Sequence, residues 1–327
     1  MLQELIQRLL AGDRHALSQL VSLVERQDVQ VSALLQAIAP HTGRSYCVGV
    51  TGPPGSGKST LVDALAHVIR QDGRSVGILA VDPTSPYTGG AVLGDRIRMQ
   101  RHYLDQGVFI RSMASRGSRG GIAAALFGAV QLLDAAGKDM VLVETAGVGQ
   151  GEIDVTTVAD TVVVVLVPEA GDAIQTMKAG LMEAADIFVV NKADREGAAA
   201  MVNALKGMLS LGQRVPGWTA PVVTTQAQTG DGVPELYDRI QQHRQFLVSS
   251  SQLEKRRRER RRLAFLSHME EALHSRIEGL LQGEGELAEL AQAVERGEVD
   301  PVSAAEKAAA RVVVPTLSPS PTQEQVE

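Results

Sequence analysis

Apolar positions recur at helical spacing over residues 2–39, where Leu17, Leu20, Val21 and Val24 fall on one face. The stretch HTGRS at 41–45 breaks that pattern. From there to about residue 247, short β-rich runs alternate with helical stretches. The runs are YCVGVT, SVGILAVD, GVFIRS, MVLVET, TVVVVLV, IFVVN and PVVTT. Several are apolar almost throughout, as strands covered on both faces are. Such alternation predicts an α/β domain with a mostly parallel sheet wrapped by helices. After residue 248 the character changes: SSSQLEKRRRERRRL opens a helix-rich segment with Leu266, Met269, Leu273, Ile277 and Leu280 at helical spacing. GEGE at 283–286 interrupts it, a further helical segment follows, and the end, PTLSPSPTQEQVE, has a disordered composition. There is no internal repeat.

Composition narrows the function classes. The 327 residues are 44% apolar, enough for a sizeable core, and only 3% aromatic, which argues against a base-stacking surface. A net charge of −6 offers nucleic acid or an anionic membrane no whole-chain attraction. Cys47 is the only cysteine, so no intrachain disulfide forms. The beginning, MLQELIQRLLAGDR, has Glu4 early and reads as an amphipathic helix rather than a signal or transit peptide. The longest apolar run, Val162 to Val167, is too short to span a bilayer. The expectation is a soluble, cytoplasmic protein without nucleic-acid or membrane partners.

The sharpest chemistry is GPPGSGKS at 52–59, which matches G-x-x-x-x-G-K-[ST] between an apolar strand and a helix beginning near Lys58. Gly52, Pro53, Pro54, Gly55, Ser56 and Gly57 form a loop whose backbone N–H groups turn inward to phosphate oxygens, with Thr60 just behind it. The following helix adds its positive end. Lys58 is expected to reach the β- and γ-phosphates and the Ser59 hydroxyl to ligate Mg²⁺. A Gly-rich turn without a ligand is the bland alternative, and the order of strand, motif and helix argues against it.

ETAGVGQGE at 144–152 supplies a second phosphate-side element. Glu144 closes a strand, where a carboxylate reaches Mg²⁺ directly or through a water, and Gly147 allows close backbone approach to a γ-phosphate. Asp82 and Asp95 are further metal candidates, although Asp95 also suits the N-cap of the helical RIRMQRHYL. The position after Gly147, where a switch protein carries a water-orienting Gln, is Val148. Gln150 stands two residues further on.

IFVVNKAD at 187–194 ends a strand with N-K-x-D. Asp194 can accept from the N1–H and 2-amino group of guanine, a donor pair adenine lacks, so the nucleotide read here is GTP. Lys192 lays its stem along the ring and Asn191 braces the loops. Gln226-Ala227 stands where many GTPases have Ser-Ala, with the Ala227 N–H available to the guanine oxygen.

With these motifs the chain strongly resembles the MeaB/ArgK family, GTPase chaperones of adenosylcobalamin-dependent acyl-CoA mutases. The likeness runs from about residue 5 to about 280. It includes LLAGDRHALSQLVSLVE, GVTGPPGSGKST, VDPTSPYTGGAVLGDRIRM, ETAGVGQGE, PEAGDAIQTMKAGLMEAADIFVVNKAD and the Arg-rich helix near 255. The resemblance implies a P-loop GTPase domain at 44–247, N-terminal helices at 1–43, a C-terminal helical dimerisation segment at 248–315 and a disordered tail at 316–327. In that family the position of Glu144 is normally Glu, and hydrolysis does not rely on a Gln after the switch glycine. An apolar Val148 cannot orient water, so slow unassisted turnover is expected, with Gln150 approaching only after rearrangement.

By position, the family's third switch is 169–180, where Asp172, Gln175 and Lys178 would couple nucleotide state to the partner, with Arg98 facing them. Lys178 would meet developing phosphate charge; read alone, AIQTMKAGLMEA is an amphipathic helix with a solvated lysine. The implied role is a gate for adenosylcobalamin loading onto an acyl-CoA mutase, methylmalonyl-CoA mutase first, and its protection or reactivation. No Asp-x-His-x-x-Gly signature is present, so the cobalamin would belong to the partner.

KRRRERRR at 255–262 reads as a solvated helix face or a dimer-interface element rather than a nucleic-acid site. The alternative function is a metallochaperone-type GTPase inserting nickel or another metal, which requires clustered Cys/His ligands; the histidines include no H-x-x-x-H pair. A protein kinase or transport ATPase is opposed by N-K-x-D and by the lack of a catalytic H-R-D. A nucleotide-dependent binding module that never turns over is the remaining rival.

Overall fold

The apolar runs form seven strands: β1 (Tyr46–Thr51), β2 (Val76–Pro83), β3 (Val108–Ser115), β4 (Met140–Thr145), β5 (Thr161–Leu166), β6 (Ile187–Asn191) and β7 (Val222–Thr225). The computed structural model describes residues 2–83, 99, 101–102, 104–115, 121–145, 151–170, 183–210, 217–283 and 285–311. One sheet runs β3-β2-β4-β1-β5-β6-β7, and every pairing in it is parallel. This is the α/β architecture the alternation predicts. The chain passes β4 on its way from β1 to β2 and passes β1 on its way from β4 to β5, so these two connections run in opposite directions along the sheet. Ligands of open parallel sheets bind outside the carboxyl ends of the strands at such a point.

Eleven α-helices are described. They are α1 (Leu2–Leu10), α2 (Arg14–Glu25), α3 (Val31–Ile38), α4 (Lys58–Gln71), α5 (Gly121–Ala135), α6 (Gly151–Val158), α7 (Ala198–Ser210), α8 (Val233–Ser249), α9 (Gln252–Gln282), α10 (Glu286–Glu295) and α11 (Pro301–Arg311). The strands alternate their side chains between two cores. On one face Val48, Val50, Leu142 and Val163 meet Leu61 and Leu65 of α4 and Leu236 and Ile240 of α8. On the other, Cys47, Val141, Val143 and Val164 meet α1, α2, α3, α5, α6 and α7. Each fully buried Val, Leu or Ile contributes about 1.5–3 kcal/mol, which explains why strands covered on both faces are nearly all apolar.

The N-terminal helices join this second core through Leu17, Leu20, Val21, Val24, Leu34 and Ile38. Asp13 caps α2 by accepting from the His15 and Ala16 N–H groups at 2.7 and 3.2 Å, worth about 1 kcal/mol. Close approach also needs small residues. A Cβ at Gly49 would overlap Val155 of α6, and one at Gly128 would lie 2.8 Å from Val24.

The chain divides into two units, Met1–His268 and Met269–Glu327. In the second, Ala288 of α10 and Ala304 of α11 are buried, while Met269, Leu273, Ile277, Leu280 and Leu281 of α9 are exposed. The predicted break at GEGE falls between α9 and α10. The tail at 316–327 lies outside the described residues. Among the described residues, no helix is long and apolar enough to cross a membrane.

The basic run is not what its composition suggests. Arg256, Arg257 and Arg260 are neither a solvated face nor a set of free interface charges: they turn inward to two buried carboxylates. Arg256 forks onto Asp186 at 2.9 and 3.0 Å. Arg257 contacts Asp160 at 2.9 and 3.2 Å, and Arg260 also reaches Asp160. Burial alone would raise the Asp160 carboxyl, but the Arg260 and Arg257 guanidiniums and the Cys47 N–H hold it below the usual range. Lys255, Arg258, Arg261 and Arg262 follow the solvated reading and are exposed, with Arg261 and Arg262 pairing with Glu254 and Glu259 at the surface.

Candidate functional site

The loop after β1 is set by three glycines with positive φ: Gly52 at 142°, Gly55 at 75° and Gly57 at 86°. A Cβ at Gly52 would overlap the Val165 carbonyl oxygen of β5, and one at Gly57 would overlap the Asn191 amide. Side chains are excluded from both positions by backbone angle and by space. Gly57 caps α4 in the left-handed conformation, so Lys58 and Ser59 sit in its first turn. Lys58 is buried, and its Nζ donates to the Gly52 and Pro53 carbonyls at 2.9 and 3.0 Å. Pro54 and Gly55 form the exposed rim, and Ser56 is buried with its N–H on the Pro53 carbonyl at 3.3 Å.

Ser59 Oγ donates to Glu144 Oε1 at 2.5 Å. Glu144 is buried near the carboxyl end of β4, in register with Val50 of β1 and Ala80 of β2. This juxtaposition joins the phosphate loop to the strand that precedes the switch stretch. The two groups are hard oxygen donors, the class Mg²⁺ takes. The pair would therefore suit that ion by its chemistry. β2 runs through Asp82 to Pro83, with the Asp82 backbone paired to Ala114, so this residue belongs to the strand end rather than lying past it. Asp95, Arg98, Gly147, Val148, Gln150, Asp172, Gln175 and Lys178 lie outside the described residues.

Asn191, at the end of β6, is almost completely buried and joins three loops. Its Nδ2 donates to the Ser56 carbonyl at 2.8 Å, while its Oδ1 accepts from Thr225 Oγ1 at 3.0 Å and the Ala227 N–H at 3.1 Å. The next residue, Lys192, has a positive φ of 56° and donates from Nζ to the Gly55 carbonyl at 2.8 Å. Gln226 pairs with Asp231 through a backbone bridge, N to O 2.9 Å, which closes the loop after β7. Asp194, Lys192, Gln226, Ala227, Gly57 and Thr60 line one cleft of about 210 Å³. Arg195 and Thr229 line it too, and sequence reasoning did not single them out. Arg195 pairs with Glu169 and, foremost through that hydrogen bond, lowers its carboxyl pKa. The signal for Arg195 was adjacency to N-K-x-D. Among the described residues, no three His, Cys, Asp or Glu side chains are grouped to hold a metal ion.

A seven-stranded parallel sheet with a phosphate loop between β1 and α4 defines an α/β P-loop GTPase fold. Residues 17–280 match the family model of the methylmalonyl Co-A mutase-associated GTPase MeaB, and the chain belongs to that family. A putative GTPase of Pyrococcus abyssi (strain GE5 / Orsay) is 49% identical over 316 residues, covering 94% of this chain and 95% of that protein. GTPase ArgK of Escherichia coli (strain K12) is 36% identical over 266 residues, covering 79% of this chain and 80% of that protein. Among solved structures, an LAO/AO transport system kinase superposes with a TM-score of 0.71 at 28% identity, covering 94% of this chain and 96% of that one. The family is one of GTPases and binds guanine nucleotide.

Proposed function

We propose that this protein is a GTP-hydrolysing chaperone that gates adenosylcobalamin loading onto an acyl-CoA mutase, methylmalonyl-CoA mutase first, and protects or reactivates it. The observation that carries the nucleotide half is the single cleft in which Asp194 and Ala227 face Gly57 and Thr60 of the phosphate loop. Lined in this way, the cleft would take the base end of a nucleotide at Asp194 and Ala227 and its phosphate end at Gly57 and Thr60. The mutase half rests on the family's description.

In this reading Lys58 leaves the Gly52 and Pro53 carbonyls for the β- and γ-phosphates when nucleotide binds. Ser59 would hold Mg²⁺, with Glu144 and Asp82 beside it and Asp95 a further candidate. Bound there, the ion neutralises phosphate charge. Asp194 accepts from guanine, Lys192 covers the ring and Asn191 holds the two loops in register. Gly147 approaches the γ-phosphate through its backbone. Val148 leaves water unoriented, so turnover is slow until the partner reorders the segment bearing Asp172, Gln175 and Lys178, with Arg98 opposite and Gln150 nearby. A homodimer is supported by the exposed apolar row Met269, Leu273, Ile277 and Leu280, spaced by three or four residues along α9. Cobalamin stays with the partner.

The test is nucleotide-dependent complex formation with a methylmalonyl-CoA mutase from the same genome. Retention of the mutase in the presence of GTP and Mg²⁺, with cofactor transfer altered by GTP hydrolysis, is expected. No complex in any nucleotide state would exclude this partner.

A further inference from the structure

Asp160 stands one residue before β5 and Asp186 one residue before β6. Both are nearly inaccessible to solvent, and each is hydrogen-bonded to the neighbouring strand of the sheet. The Asp160 carboxylate accepts from the Cys47 N–H at 2.9 Å, and that of Asp186 accepts from the Val162 N–H at 2.9 Å. Three arginines of α9 close on them. Besides the ion pairs, Arg256 donates to the Asp160 carbonyl at 3.1 Å, and Arg257 donates to the Gly43 and Ser45 carbonyls at 2.8 and 2.7 Å. Arg260 reaches the Val158 carbonyl at the end of α6. One turn of α9 therefore fixes the amino ends of β1, β5 and β6 together.

The other ends of the same strands carry the nucleotide loops. β5 ends beside Gly52, which lies so close to the Val165 carbonyl that no Cβ fits between them. β6 ends at Asn191, whose amide holds Ser56 and Ala227. A strand of five or six residues spans about 17–20 Å and, hydrogen-bonded along both edges, resists compression and slippage. The clamped carboxylates and the nucleotide loops therefore stand at opposite ends of the same strands.

We infer that Arg256, Arg257 and Arg260 are positioning residues for the nucleotide loops: by setting the amino ends of β5 and β6 they set where Gly52 and Asn191 stand, and so tie the seating of α9 to which nucleotide is held. The inference rests on the guanine-nucleotide reading above. Removing a whole charge from so buried a group endangers folding, so the informative variant keeps it. Lysine preserves the charge but lacks the planar fork that spans two acceptors. If α9 seats differently in the GDP and GTP states, linkage requires that a loosened seat change the two affinities unequally.

The test uses the full chain. Dissociation constants for GDP and for a non-hydrolysable GTP analogue with Mg²⁺ are measured for wild type and for Arg256→Lys/Arg260→Lys. The ratio of the two constants is expected to move by about fivefold or more, the lower range of measured couplings. Arg261→Gln, which loses only a surface pair with Glu254, is expected to leave it unchanged. A purely structural role lowers the melting temperature and leaves the ratio as it was, and that result overturns the inference. If the double variant does not fold, amide hydrogen exchange over residues 252–268 of the wild type decides. Different protection in the two nucleotide states supports the inference, and identical protection overturns it. Wild-type protein that bound neither nucleotide would instead overturn the nucleotide reading itself.

Discussion

The Asn191 amide donates to the Ser56 carbonyl at 2.8 Å, so the end of β6 and the phosphate loop are one structural element rather than two neighbouring ones. The same side chain accepts from Ala227 of the third loop. Asn191→Ala would leave a buried carbonyl and a buried N–H without their partners, at about 1–3 kcal/mol each in the assembled site. Part of that cost falls on folding, and the remainder is expected to lower GDP affinity by about ten- to a hundredfold, at tenfold per about 1.4 kcal/mol. Titration of the folded variant with a fluorescent GDP analogue measures this; an unchanged constant would remove Asn191 from its bracing role.

Ser59 and Glu144 should act on the metal rather than on the base. Ser59→Ala is expected to raise the Mg²⁺ concentration for half-maximal GTP binding by about tenfold or more, with metal-free GDP binding altered far less. Glu144→Gln keeps a polar group opposite Ser59 but removes the charge, and should lower hydrolysis at saturating GTP. A Mg²⁺ titration at fixed nucleotide separates the two effects. Equal losses with and without Mg²⁺ would mean that the pair is structural.

In the proposed reading, base choice rests on a single carboxylate. Asp194→Asn replaces one of the two oxygens that would accept from the guanine N1–H and 2-amino group with an NH₂, which can donate to a 2-oxo group. GTP affinity is expected to drop by about 10²-fold or more, with xanthosine triphosphate gaining relative to GTP. Competition between the two triphosphates reads this out, and an unchanged preference would move base recognition elsewhere.

Stability should fall on the acid side of neutrality. His243 is fully buried, with Nδ1 2.8 Å from Thr161 Oγ1, and burial holds its pKa down at about 4 despite Asp186 nearby. The unfolded chain therefore binds this proton first, so stability is full above the ordinary His pKa and declines as pH falls from about 6.5 towards 4. Between pH 7 and 5 this one group accounts for a loss of about 2 kcal/mol. Asp160, held below the usual carboxylate range, adds a loss in the same direction at lower pH. Urea unfolding of wild type and His243→Gln at the two pH values tests the assignment: the variant's slope should be shallower, and parallel slopes would contradict it.

Which features were legible in the chain follows from how local their causes are. β1, β4 and β6 coincide with YCVGVT, MVLVET and IFVVN because burial on both faces writes itself into every residue of a short strand. The start of α4 at Lys58 was equally legible, because Gly57 and the phosphate motif fix that turn locally. The fate of KRRRERRR was not. Its partners lie some 70 to 100 residues away, and nothing in the run itself separates Arg260, which is half-buried against Asp160, from Arg261, which is exposed. The available clue was on the other side: a lone Asp before a mostly apolar strand, in ADT at 159–161 and again in ADI at 185–187. A carboxylate at such a position is buried with the strand it precedes and needs a cation from somewhere. The second loop of the base site was legible only in part, since the contact between Ala227 and Asn191 depends on two strands meeting.

The most direct test of the central claim is GTP hydrolysis by the purified chain with Mg²⁺, alone and with methylmalonyl-CoA mutase from the same genome. The account predicts a slow basal rate that rises well above itself when the mutase is added, with Lys178→Ala reducing the rise more than the basal rate. A basal rate that the mutase leaves unchanged, together with no nucleotide-dependent complex, would contradict it and leave a GTPase in search of a different partner.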